Sequence, residues 1–204
     1  MSKTARAIII VIVFAIATAI AITRPWTYFE FIAPKSAITI NAVSGKLEVY
    51  LNEQKVGETP FEADSLTPGT YNITLKRVSE TDGLYSTFSR RIDLESNTRT
   101  VLKVELGPSD QFSSHILVYF KKANKDETSV YVESVPSGAT VTLDEIRLGT
   151  APLTKSGIRP GTYRLKVAHP GYEDHEVEVQ VISGYTLITD VKLMARPIEI
   201  RTID

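Results

Sequence analysis

One stretch of this chain occurs twice. Val56-Gly57, Thr59-Pro60-Phe61 and Leu66-Thr67-Pro68-Gly69-Thr70-Tyr71 are matched by Leu148-Gly149, Ala151-Pro152-Leu153 and Ile158-Arg159-Pro160-Gly161-Thr162-Tyr163, with identical spacing. A repeat at fixed spacing sets the domain count before any residue is given a role. Two copies of one small module are therefore expected. Each is roughly 70 residues, a size at which the apolar core is small.

The copies read as strands and turns. Apolar and polar residues alternate over 38–41, 47–51, 71–75, 86–94 and 100–106, and again over 130–134, 139–143, 162–167, 175–181 and 185–193. Period-two alternation marks half-buried strands, and Gly, Pro, Asn and Asp punctuate them throughout. The expected fold class is all-β: two tandem small β-sandwich domains, spanning 36–107 and 129–196. Pro68-Gly69 and Pro160-Gly161 suit type II turns, with proline presetting φ and glycine accepting a positive φ. Pro60 and Pro152 cannot donate to a ladder, which places them at an edge or crossover. Tyr71, Tyr163 and Tyr172 read as core or corner tyrosines rather than as sugar-stacking platforms.

The segment 108–128 joins the modules. Its ends are polar, but Ile116-Leu117-Val118-Tyr119-Phe120 is an apolar run that would be an aggregation hazard if exposed. A strand over 116–120 is expected, either completing one sandwich or bridging both. The tail, 197–204, alternates again and suits an edge strand or a docked partner.

The N-terminus is different in kind. Ala7 to Ile22 is an unbroken apolar run, preceded by Lys3 and Arg6 and followed by Arg24 and an aromatic group of Trp26, Tyr28, Phe29 and Phe31. This reads as one transmembrane helix over 7–24, after a short cytoplasmic tip (1–6) and before a juxtamembrane segment (25–35). Residues 7–24 would contact membrane lipid, leaving a single-pass protein with its modules outside the cytoplasmic membrane. The alternative is secretion after signal-peptide cleavage near Ala19-Ile20-Ala21.

The side chains do not assemble a reaction centre in sequence. There is no cysteine, which removes disulfides, thiolate metal sites and a thiol nucleophile. The net charge of −1 argues against nucleic acid as a partner. His169, Glu173, Asp174, His175 and Glu176 form the densest group of ligand-type residues, but Pro170-Gly171 is a turn and a solvated hairpin is the expected reading. Asp144-Glu145 reads as a capping turn without the third carboxylate that calcium needs at loop spacing. Arg90-Arg91 and Lys121-Lys122 read as solvated strand faces. No catalytic, cofactor-binding or metal residues are assigned, no cofactor is expected, and a small-molecule substrate is unlikely on these grounds.

The second copy carries a more specific pattern. Pro136-Ser137-Gly138-Ala139, then Leu148-Gly149-Thr150-Ala151-Pro152, Pro160-Gly161-Thr162-Tyr163 and Pro170-Gly171-Tyr172 follow one another. This closely resembles the PEGA domain, named for such a Pro-x-Gly-Ala stretch. The first copy resembles it less: Ser44-Gly45 stands in that place, and Asp82-Gly83-Leu84-Tyr85 replaces the Gly-Tyr pair. The resemblance implies β-sandwiches of a prokaryotic cell envelope or surface, structural, adhesive or scaffolding in role and not enzymatic. Partners would be other envelope proteins or wall polymer, and the alternative is a module binding cell-wall or surface glycan. Specific function is expected where the copies differ, at 79–86 and 170–175.

Overall fold

The computed structural model describes residues 33–78 and 85–196. The expected transmembrane helix over 7–24, the loop 79–84 and the tail 197–204 lie outside the described residues. Among those described, no helix is long and apolar enough to cross a membrane.

The first copy supplies β1 (Ser36–Ala42), β2 (Leu47–Leu51), β3 (Gln54–Glu58), β4 (Phe61–Leu66), β5 (Gly69–Arg77), β6 (Phe88–Leu94) and β7 (Arg99–Glu105). A short 3-10 turn, Asp110–Phe112, leads into β8 (Ser114–Lys122). The second copy supplies β9 (Thr128–Val135), β10 (Thr140–Leu143), β11 (Ile146–Thr150), β12 (Leu153–Ser156), β13 (Gly161–Ala168), β14 (His175–Val181) and β15 (Tyr185–Lys192). The all-β expectation holds. The expected segments do not include β3, β4, β11 and β12, all edge strands: β3, β11 and β12 are mostly exposed and do not alternate, whereas β4 does alternate over Phe61–Asp64, with Phe61 and Ala63 against the first core.

The sheets show how the copies join. β3-β2-β5-β6 and β11-β10-β13-β14 form two four-stranded outer sheets. The remaining strands form one seven-stranded sheet in the order β12-β9-β15-β8-β7-β1-β4. β8 sits in its centre, antiparallel to β7 on one side and to β15 on the other. β1 runs parallel to β7, and β9 parallel to β15. The two halves therefore run in the same sense on either side of β8. A two-fold relation that keeps strand direction has its axis along the strand, so it turns the sheet over.

The outer sheets accordingly lie on opposite faces of the shared sheet. Leu117 packs in the first core, with Ile38, Leu47, Ile73 and Leu102. Its chain neighbours Ile116 and Val118, with Phe120, pack in the second core, with Val130, Val141, Leu165 and Leu187. A strand covered on both faces needs an apolar side chain at nearly every position, which is why 116–120 does not alternate. Burial of each such side chain stabilises the fold by about 1.5–3 kcal/mol.

Candidate functional site

The repeated motif is a fastening. Tyr71 Oη donates to the Thr67 carbonyl at 2.9 Å, and Tyr163 Oη donates to the Arg159 carbonyl at 2.9 Å. Each Pro-Gly-Thr-Tyr element is thus a tyrosine corner, tying the start of β5 or β13 to the segment that feeds it. The type II turn expected at Pro68-Gly69 does not form. Gly69 has φ +151°, well beyond the value a type II corner needs, and it already pairs with Leu94 as the first residue of β5. Gly161 likewise opens β13, opposite Val181. Pro60 and Pro152 lie where the chain crosses from outer sheet to shared sheet, as expected.

A second equivalence was not visible as a motif. Asn52 (φ 50°) and Asp144 (φ 51°) take the left-handed conformation in the tight turns after β2 and β10. Asn52 Oδ1 accepts from the Asn72 amide at 2.9 Å, and Asp144 Oδ1 accepts from the Arg164 amide at 2.8 Å. Both amides belong to the residue following the corner tyrosine. Short polar side chains tolerate this conformation and can reach the neighbouring backbone. Asp144 is a capping group, as its sequence position implied. The shared signal is an Asx-Glu pair at equal distance before each corner.

The ligand-type residues at 169–176 disperse. Asp174 meets Lys166 at 3.0 Å and Arg196 at 3.3 Å, and Glu176 meets Arg164 at 3.2 Å. His169 lies edge-on to Tyr172, ring centroids 5.1 Å apart. Among the described residues no cluster could hold a metal ion. His175 departs from the solvated hairpin expected there: it is 7% exposed, and its Nε2 is buried without a hydrogen-bond partner. Burial pushes its imidazole down to about 4, helped by the nearby Lys103 and His115 and opposed by a hydrogen bond with the Lys192 backbone.

The copies also touch beside β8. Arg90 of β6 forms a close ion pair with Asp190 of β15, and His115 Nε2 lies 3.6 Å from the other carboxylate oxygen. Phe88 packs edge-on against His115, 5.1 Å away. Burial raises the Asp190 carboxyl, but His115 and Arg90 outweigh it and hold the group below its ordinary value. Arg90 and Asp190 border a groove of about 380 Å³ with Leu117, Tyr119 and Glu133. Of the basic pairs read as solvated, Arg90 is thus engaged and Lys122 lies 4.0 Å from Glu95.

The ends of the strands differ. Lys35 lies at one end, its carbonyl bonded to the Asn97 amide at 2.7 Å just before β7. The tyrosine corners lie at this end too. The last described residue, Arg196, is at the opposite end, its amide bonded to Gly171. That far end carries the segment 170–175 and, of 79–86, the described residues Tyr85 and Ser86 just before β6. It also carries Val43, Val78, Tyr85, Phe112 and Val135, five of the seven exposed large hydrophobics among the described residues; Val56 and Ile146 are the others. Contacts link two of them, Tyr85 and Phe112, through Arg77, Leu106 and Gly107. Tyr85 stacks under Arg77, which bonds the Leu106 carbonyl, and the Phe112 backbone abuts Gly107.

The PEGA domain family matches residues 35–110 and 127–197, which is most of the chain and both copies. The chain belongs to the PEGA domain family. Both halves of this PEGA protein are therefore family repeats, the diverged first copy included. No curated protein matches it in sequence. Among solved structures it is similar to the minor pilin GBS52 of Streptococcus agalactiae, at 14% identity and a TM-score of 0.28, over 83% of this chain and 100% of that one. It is also similar to the Bacillus anthracis TIE protein, at 14% identity and a TM-score of 0.26, over 78% of this chain and 34% of that one. At such scores neither likeness carries an argument here.

Proposed function

We propose that this PEGA protein is a non-catalytic, membrane-anchored structural element of a prokaryotic cell envelope. Residues 7–24 anchor it, and the fused repeats stand outside the cytoplasmic membrane and hold a contact surface away from it. The observation that carries this reading is the shared strand β8. It locks both copies into one unit whose chain enters at the Lys35 end, while the apolar, copy-specific end lies opposite. A strand of nine residues at about 3.3 Å per residue sets the ends some 30 Å apart. The partner at the far end is another envelope protein.

Glycan binding through Tyr172 has less support, because that ring packs against the second core and the residue bridges to Ala195. Cell fractionation with protease accessibility tests the proposal. Recovery with membranes, and digestion of the repeats only from the outer side, is expected. Recovery in the soluble cytoplasm would overturn it.

A further inference from the structure

The seven-stranded sheet ends in two free edges, β4 and β12, and their unmatched charges are opposite. On β4, Asp64 is held by Arg99 at 2.6 Å, whereas Glu62 is exposed and has no partner among the described residues. On β12, Lys155 is exposed and likewise unpartnered.

Both charges project from the same face of the shared sheet. Lys155 lies in register with Val130, and Glu62 with Thr39, Val101 and Val118. Val130, Val118 and Val101 all pack on the second core, so both charges lie on that face, two residues apart along the strands. The two edges also run in the same direction: β4 is antiparallel to β1, β12 is antiparallel to β9, and both are therefore parallel to β8.

We propose that copies of this chain assemble laterally, β12 of one copy pairing in parallel with β4 of the next, into a continuous sheet. Like-on-like pairing would set Glu62 against Glu62 or Lys155 against Lys155, and opposed like charges on an edge prevent pairing. Pairing β12 with β4 sets Lys155 against Glu62. Because the contact uses two different edges, each added copy leaves a free edge of each kind, and the assembly is open-ended rather than a closed dimer. Translation keeps the Lys35 end of every copy on one side, as a row tethered to a single membrane requires. Only this last point rests on the function proposed above.

The chain contains no cysteine, so introduced thiols are unique. In full-length protein in detergent, Ala63→Cys/Ser156→Cys, adjacent to Glu62 and Lys155 and opposed in the proposed register, with a short bis-maleimide should yield a ladder of dimers, trimers and larger species. Either single variant should stay monomeric. Lys155→Glu added to the double-cysteine chain should abolish the ladder, as should Glu62→Lys, and mixing those two proteins should restore it. Absence of a ladder in the double-cysteine protein overturns the proposal. So does cross-linking of a single-cysteine variant, or failure of the mixture to recover when both variants retain the parent circular dichroism. Detergent removes any dependence on envelope location, so a negative result here leaves the location to fractionation.

Discussion

Leu117 and Val118 are adjacent in the chain and belong to different hydrophobic cores, one on each face of β8. Neither PEGA repeat closes its sandwich without this strand. The two copies are thus one folding unit in which each core depends on a segment outside the family repeats.

Substitution in β8 tests that dependence. Leu117→Ala, at a site 1% exposed, should cost about 2–5 kcal/mol. Although its side chain lies in the first core only, the loss should appear in both repeats. Chemical denaturation followed by circular dichroism should give one transition shifted to lower denaturant. Hydrogen exchange should show equal acceleration in β1 and β13. Acceleration confined to the first repeat would mean that the halves unfold separately.

The tyrosine corners should be equivalent and independent. Tyr71→Phe and Tyr163→Phe each remove one hydroxyl-to-carbonyl hydrogen bond of 2.9 Å. Each should cost about 1 kcal/mol. The corners lie in different outer sheets, so the double variant should lose the sum of the single losses. Denaturation midpoints of the four proteins check this.

His175 makes stability depend on pH. Its folded-state value of about 4 lies below the ordinary value of 6.5. Between those two values the unfolded chain binds more protons than the folded one, so stability falls as pH is lowered from 6.5 towards 4. The full loss is about 3 kcal/mol. Asp190, held below its ordinary value, loses its contribution in the same direction at still lower pH. His175→Gln should flatten the dependence between pH 4 and 6.5 and leave the more acidic limb. Unfolding midpoints at stepped pH measure both.

Gly107 is needed for lack of a side chain. A β-carbon there would meet the Phe112 carbonyl oxygen at 2.1 Å, a contact with backbone that cannot swing away. Gly107→Ala should therefore displace the Asp110–Phe112 turn and cost about 1–3 kcal/mol. It should also weaken any partner bound at the far end, since Phe112 is 59% exposed there. Pull-down from solubilised envelope, compared with Phe112→Ser, separates that loss from instability.

Much of this was legible in the residues. Repeat spacing announces two modules, and alternation reveals the strands of each outer sheet's centre and of the shared sheet, because one covered face imposes period two. The corner tyrosines were recognisable by type and position. Of the edge strands, β6 and β14 were legible but β3 and β12 were not, since Gln54–Glu58 and Leu153–Ser156 are too little covered to alternate. His175 was misread because a strand starting after a turn does not say which of its first side chains points inward.

The sequence by itself determined the local elements and the count of two. Turn chemistry and side-chain period act over a few residues and leave their mark in order along the chain. Only the tertiary structure decided that the two copies share one sheet. The pairing of β8 with β7 and β15 joins residues far apart in the chain, and the turning-over of the halves follows from strand direction. The run Ile116–Phe120 required burial on both faces, but which core took which side chain was settled by the sheets packed against it.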